Sequence, residues 1–217
     1  MLTFYLSLYL VTDRSLSLTR PLVDVVGQAI AGGVTMVQLR EKDASTLEFY
    51  NLAMQLKGLL KQYDVPLIIN DRLDIALACD ADGLHIGQSD MPYDVARRLL
   101  GKDKIIGLSV ESVQDAIDAN NLDVDYIGIS PVFGTQTKTD TATALGIDGV
   151  REITCICKHP AVGIGGINAM NAAEIIRAGA DGISVVSAIM SAESPKDAAY
   201  QLRYIVDKSK RNNYEME

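Results

Sequence analysis

Two aspartates and a set of cations fall where a metal-bridged diphosphate would need them. Asp71 and Asp90 each follow a short apolar run, with Arg40, Lys42, Asn70 and Lys138 in comparable positions nearby. Magnesium takes one or two carboxylates, keeps part of its water shell, and draws its other ligands from phosphate oxygens. A single Asp after a strand ordinarily caps the next helix. Two of them amid this much positive charge point instead to a metal–diphosphate site.

The run Gln38-Leu39-Arg40-Glu41-Lys42 alternates, so Gln38, Arg40 and Lys42 project to one side of an extended chain. A planar guanidinium and a compact ammonium both suit phosphate oxygens. Alone, such a run also reads as a solvated strand end. Gly163-Ile164-Gly165-Gly166-Ile167 and Val185-Val186-Ser187-Ala188 suggest a second anion site, where glycine lets main-chain N–H groups come close. Without the other segment, either would read as a tight turn. Neither His85 nor His159 is given a role, since no Ser or Cys partner signals a nucleophilic triad. Cys155 and Cys157 lack a second Cys/His cluster to complete a tetrahedral metal set, and read as small apolar helix residues.

Short β-branched runs alternate with helical patterns along the whole chain and would position these residues. The strands are expected at Leu6 to Val11, Thr35 to Leu39, Val65 to Asn70, Gly83 to Ile86, Lys104 to Leu108, Tyr126 to Ile129, Ala161 to Ile164 and Gly182 to Val186. The helices between and after them are expected at Leu22 to Ala31, Thr46 to Tyr63, Leu73 to Cys79, Tyr93 to Leu100, Val113 to Ala119, Asp148 to Lys158, Ala172 to Ala178 and Pro195 to Lys210. Continuously apolar strands separated by helices imply a parallel sheet buried on both faces, either an open sheet or a closed barrel. The count of eight pairs favours a single (β/α)8 TIM barrel of phosphate-binding type over residues 1–217. The unusual polar residues support it, because nearly all follow strand ends. Gln38 and Arg40 close the second strand, Asn70 and Asp71 the third, and Gln88 and Asp90 follow the fourth. Ser109 ends the fifth, Thr135, Thr137 and Lys138 follow the sixth, Gly166 the seventh and Ser187 the eighth. A barrel gathers such positions on one rim.

The net charge of −8 argues against a nucleic-acid or membrane-surface partner, and leaves phosphorylated small molecules as the expected ones. The N-terminal run has no basic start or small-residue cleavage site, and three cysteines fit a reducing compartment, so a cytoplasmic protein is expected. A homo-oligomer is compatible with the sequence. The polar loop Ser130 to Ile147 is unusually long for a compact domain and reads as functional, with the stretch around Thr139-Asp140-Thr141 a candidate lid.

Taken together, Gln38 to Lys42, Ile69-Asn70-Asp71-Arg72, His85-Ile86-Gly87-Gln88-Ser89-Asp90, Thr135-Gln136-Thr137-Lys138 and Gly163 to Ile167 resemble the thiamin-phosphate synthase family, in order and over nearly the whole chain. That family joins hydroxymethylpyrimidine diphosphate to a thiazole phosphate, releasing pyrophosphate. The resemblance implies that Gln38, Leu39, Arg40, Glu41, Lys42, Asn70, Ser109 and Lys138 hold the pyrimidine diphosphate, and that Asp71 and Asp90 hold Mg2+. It implies that Thr135, Gln136, Thr137, Gly166, Val186 and Ser187 hold the thiazole phosphate. Lys138, Arg40, Lys42, Gln38 and Ser109 would carry the catalysis, with magnesium and the cations stabilising departing pyrophosphate. Leu39 departs from the family, in which an aromatic residue is common there, and Thr12-Asp13-Arg14 receives no catalytic role. A thiazole tautomerase of the same superfamily, a phosphate-sugar barrel isomerase and a silent precursor-binding protein are the rival readings. The full set of Asp71, Asp90, Lys42 and Lys138 favours the synthase.

Overall fold

Strands that are apolar at every position need cover on both faces, and here they obtain it by closing on themselves. The computed structural model describes residues 2–134 and 143–214. Eight parallel strands run in sequence order: β1 (Leu8–Val11), β2 (Met36–Leu39), β3 (Leu67–Asn70), β4 (Gly83–Ile86), β5 (Ile105–Val110), β6 (Tyr126–Ile129), β7 (Ala161–Ile164) and β8 (Gly182–Val185). β1 pairs with both β2 and β8, so no edge is left. The helices are α1 (Leu2–Tyr5), α2 (Leu22–Ala31), α3 (Thr46–Leu60), α4 (Leu73–Ala78), α5 (Tyr93–Leu100), α6 (Val113–Ala119), α7 (Gly146–Ile156), α8 (Ala172–Arg177), α9 (Ser187–Met190) and α10 (Pro195–Tyr214). This is a (β/α)8 TIM barrel.

Outward strand residues such as Leu8, Leu10, Val37 and Leu39 join the helices in one core, while Leu6, Tyr9, Met36, Ile68, Tyr126 and Val162 fill the barrel. Each full burial of such a side chain contributes about 1.5–3 kcal/mol. Correcting the register by one residue per strand for the stagger sorts the inward positions into sets of four from alternate strands. Met36, Gly83, Tyr126 and Gly182 form the lowest set, and Tyr9, Ile68, Gly107 and Val162 the next. Gln38, His85, Gly128 and Ser184 lie above them. Gly107 is required where it stands, because a Cβ there would lie within the Tyr126 ring.

Several boundaries differ from the sequence reading. The first strand begins at Leu8, because residues 2–5 turn into α1, which packs Leu2 and Tyr5 under the barrel. β5 runs on through Ser109 to Val110 instead of stopping at Leu108. α3 ends at Leu60 and continues as a 3-10 turn over Lys61–Tyr63. α7 starts at Gly146 and ends at Ile156, which leaves Cys155 exposed near its end and Cys157 as the capping residue. Among the described residues no helix is long and apolar enough to cross a membrane.

The short α9 was not expected. Arg20 holds it: its guanidinium donates to the carbonyls of Met190 (2.8 Å) and Ala192 (2.9 Å), and to Ser17 (2.9 Å) in the loop after β1. Cations suit the free carbonyls at a helix C-terminus.

Candidate active site

The C-terminal ends of all eight strands line one cavity of about 450 Å³, within the size range of small-molecule sites. Gln38, Arg40, Lys42, Asn70, Asp71, Asp90, Ser109, Gly166, Val186 and Ser187 all reach it. The pleat of β2 decides which residues of its run do so. Leu39 is fully buried against the helices, and Glu41 also turns away to meet Arg14 at 2.7 Å. Neither residue's side chain lines the cavity. Burial pushes the Glu41 carboxyl up, against the pull of the Arg14 guanidinium. Thr12-Asp13-Arg14 therefore supports the β2 loop: the Arg40 N–H donates to Thr12 Oγ1 at 3.1 Å, and Arg14 anchors the residue after it. Thr135, Gln136, Thr137 and Lys138, together with Thr139, Asp140 and Thr141 of the candidate lid, lie outside the described residues.

Asp71 has the left-handed backbone (φ 59°), a conformation Asp tolerates better than most residues. Its N–H donates to the His85 carbonyl at 2.9 Å, and its carboxylate accepts from Lys42 Nζ at 2.9 Å. Burial alone would raise its pKa. Hydrogen bonds from Lys42 and from Asp90 outweigh burial, and its carboxyl is held below the usual range. Asp90 moves the opposite way, raised by burial and by contact with Asp71 despite the Gly87 N–H that bonds Oδ2 at 2.7 Å. Two carboxylates in contact at the rim of the cavity supply hard oxygen donors side by side. That donor set fits a magnesium ion that completes its shell with water and phosphate. Among the described residues no group of three or more His, Cys, Asp or Glu forms a self-sufficient metal site.

Across the barrel runs a hydrogen-bonded chain that the sequence did not reveal. Gln38 Nε2 donates to Tyr9 Oη (2.7 Å), which meets Tyr126 Oη (2.8 Å). Tyr126 Oη meets His85 Nδ1 (3.0 Å), and His85 Nε2 meets Ser109 Oγ (3.0 Å). The amide end can only donate to Tyr9. The arrangement that uses each phenolic proton in turn then makes Tyr126 a donor to Nδ1 and His85 a donor, through Nε2–H, to Ser109. Burial pushes both phenols upward, so they stay protonated. The chain leaves an acceptor at Gln38 Oε1 and a free O–H on Ser109, both on cavity-lining residues.

Tyr126→Phe tests this chain. Depriving buried Nδ1 and Tyr9 Oη of their partner is expected to destabilise by about 1–3 kcal/mol. For a domain of this size that lowers the melting temperature by roughly 2–12 °C. Thermal unfolding checks it, and an unchanged midpoint would mean that the chain carries no strain-free bonding worth the name.

On the far side, Gly165 (φ 103°) and Gly166 (φ 63°) turn the chain after β7. The sequence reading needed glycine for anion approach, but the fold supplies a second reason. A Cβ on Gly165 would stand 2.9 Å from Pro131 Cβ, and one on Gly166 2.7 Å from the Gly134 carbonyl.

A closed parallel barrel that brings cations, an acidic pair and a glycine turn to its C-terminal rim has the architecture of a (β/α)8 enzyme, with its cavity where that fold builds active sites. The signature of the family described as thiamine monophosphate synthase matches residues 8–189, and the chain belongs to that family of transferases. It is 51% identical over 202 residues to a thiamine-phosphate synthase of Albidiferax ferrireducens, covering 93% of this chain and 92% of that one. It is 52% identical to one of Clostridium acetobutylicum, covering 93% and 95%. The solved thiamine phosphate pyrophosphorylase of Pyrococcus furiosus superposes with a TM-score of 0.89 at 42% identity, covering 96% of this chain and 99% of that one.

Proposed function

We propose that the chain condenses 4-amino-5-hydroxymethyl-2-methylpyrimidine diphosphate with hydroxyethylthiazole phosphate, yielding thiamin phosphate and pyrophosphate in a magnesium-dependent reaction. One observation carries this reading. The acid pair beside Lys42 and the Gly166–Ser187 turns face the same cavity from opposite sides, one suited to a metal-bound diphosphate and the other to a monophosphate.

The cavity floor supports an aminopyrimidine. Gln38 Oε1 can accept from the amino group, and Ser109 O–H can donate to a ring nitrogen, because the hydrogen-bonded chain occupies their other faces. Bound at Asp71 and Asp90, magnesium would neutralise charge on the diphosphate oxygens. Arg40, Lys42 and Lys138 bind and orient that diphosphate and stabilise the charge it gains on leaving. The methylene C–O bond breaks with its electron pair going to pyrophosphate, and the aminopyrimidine carries the resulting cation. The thiazole nitrogen lone pair then forms the new C–N bond, with Gly166, Val186, Ser187 and residues 135–137 holding the phosphate. No proton is removed in these steps, so no general base is needed.

The test is product formation from both substrates with magnesium or with EDTA, read as fluorescent thiochrome after oxidation. Magnesium-dependent product is expected, with EDTA abolishing it. Binding of the thiazole phosphate without any product would favour the tautomerase or the silent binder instead.

A further inference from the structure

Ser184 lies on β8 with its side chain inside the barrel, in register with Tyr9 and Ile164, and it lines the cavity. It is 1% exposed, and its hydroxyl has no hydrogen-bond partner among the described residues. Its neighbours in the same set of four contrast with it. Gln38 and His85 are both engaged in the chain that passes through Tyr9 and Tyr126, and Gly128 carries no side chain. A buried hydroxyl left unpaired contributes nothing to folding and costs its desolvation. An alanine of nearly the same shape would serve the fold as well.

The position says what the hydroxyl can meet. Gln38, His85, Gly128 and Ser184 make one level across the barrel, and the His85 ring packs over Gly128, which has no side chain in its way. A Cβ at Gly128 would come within 3.2 Å of the His85 ring. Planar rings fit such a level. The groups suited to a diphosphate (Arg40, Lys42, Asp71 and Asp90) stand above β2 to β4, and Ser184 faces them from β8. A ring tethered to that diphosphate presents its remote edge to β8.

Resting on the reading above, we propose that Ser184 is a further specificity-determining residue: its hydroxyl hydrogen-bonds a ring nitrogen of the aminopyrimidine on the edge remote from the diphosphate. It completes a set of polar contacts whose other members are Gln38 and Ser109. A pyrimidine is thereby distinguished from a carbocyclic ring of the same shape, which would leave the hydroxyl unpaired.

Ser184→Ala tests this with three readouts. The apo variant is expected to melt at or above the wild-type temperature, since it loses an unpaired buried hydroxyl. Its KM for the pyrimidine diphosphate should rise about 3–10-fold, the worth of one neutral hydrogen bond, with the KM for the thiazole phosphate within about twofold of wild type. Calorimetry with the unphosphorylated aminopyrimidine alcohol, which needs neither metal nor turnover, should show a similar loss of affinity. Unchanged affinity for the alcohol would overturn the proposal. So would a rise confined to the thiazole phosphate, or a lowered melting temperature with both KM values unmoved. The wild-type product assay decides the reaction separately, so a failed synthase reading and a failed Ser184 assignment give different results.

Discussion

Replacing Asp71 with asparagine is expected to lower kcat/KM by about two to three orders of magnitude, the usual loss when one preorganised electrostatic group is removed from a reacting centre. The fold should survive the change. Asparagine accepts the left-handed backbone at φ 59° nearly as readily as aspartate, so the turn after β3 is retained. The bond from Lys42 loses its charge, but the pair is partly solvated, and such pairs contribute only about 0–1 kcal/mol. The loss therefore falls on chemistry. The amide cannot supply the anionic oxygen that the magnesium site requires, and Lys42 is no longer held over the cavity by an opposite charge. Raising magnesium should recover part of the rate, because Asp90 remains, bonded to the Gly87 N–H. Kinetics against a magnesium titration, with thermal unfolding alongside, separates these effects. Wild-type kcat/KM at ordinary magnesium concentrations would remove Asp71 from the metal site.

The barrel was legible because its strands are apolar on both faces and its polar residues collect after strand ends, two patterns that only a doubly covered parallel sheet satisfies. The residues proposed for a metal–diphosphate side were legible for the same reason. Arg40, Lys42, Asn70, Asp71 and Asp90 are close in sequence to three consecutive strands. The hydrogen-bonded chain was hidden because its parts are distant: Tyr9 and Tyr126 are 117 residues apart and meet only when the barrel closes. His85 offered one clue, an ionisable side chain on the inward face of an apolar strand, but its partners could not be read locally. Leu39 and Glu41 show the opposite case. Alternation along β2 already placed their side chains opposite those of Gln38 and Arg40, away from the cavity. α1 and α9, at four residues each, are too short to leave a periodic signal.

Gly166→Ala should combine a loss of stability with a selective loss of one substrate. Alanine at φ 63° carries a backbone cost of about 1–2 kcal/mol. Its Cβ would also stand 2.7 Å from the Gly134 carbonyl and 2.9 Å from Phe133 Cβ, so residues 133–134 must move. They are not free to move alone. Val132 N–H donates to the Ile164 carbonyl (2.8 Å) and Phe133 N–H to that of Gly165 (3.1 Å), while Gly146 N–H donates back to Val132 (2.9 Å). The displacement passes to the start of the segment that carries Thr135 to Lys138. The melting temperature is expected to fall by roughly 4–12 °C, from a total cost of about 2–3 kcal/mol. The KM for the thiazole phosphate should rise by about tenfold or more, the worth of at least one charge-assisted bond to phosphate, with a smaller change for the pyrimidine diphosphate. Gly146→Ala is the control. At φ 66° it bears the same backbone cost, but its Cβ meets nothing among the described residues within 4 Å. It should lose stability without the selective rise in KM. Equal effects of the two substitutions on the thiazole phosphate would show that backbone strain, and not the contact with residues 133–134, shapes that side of the cavity.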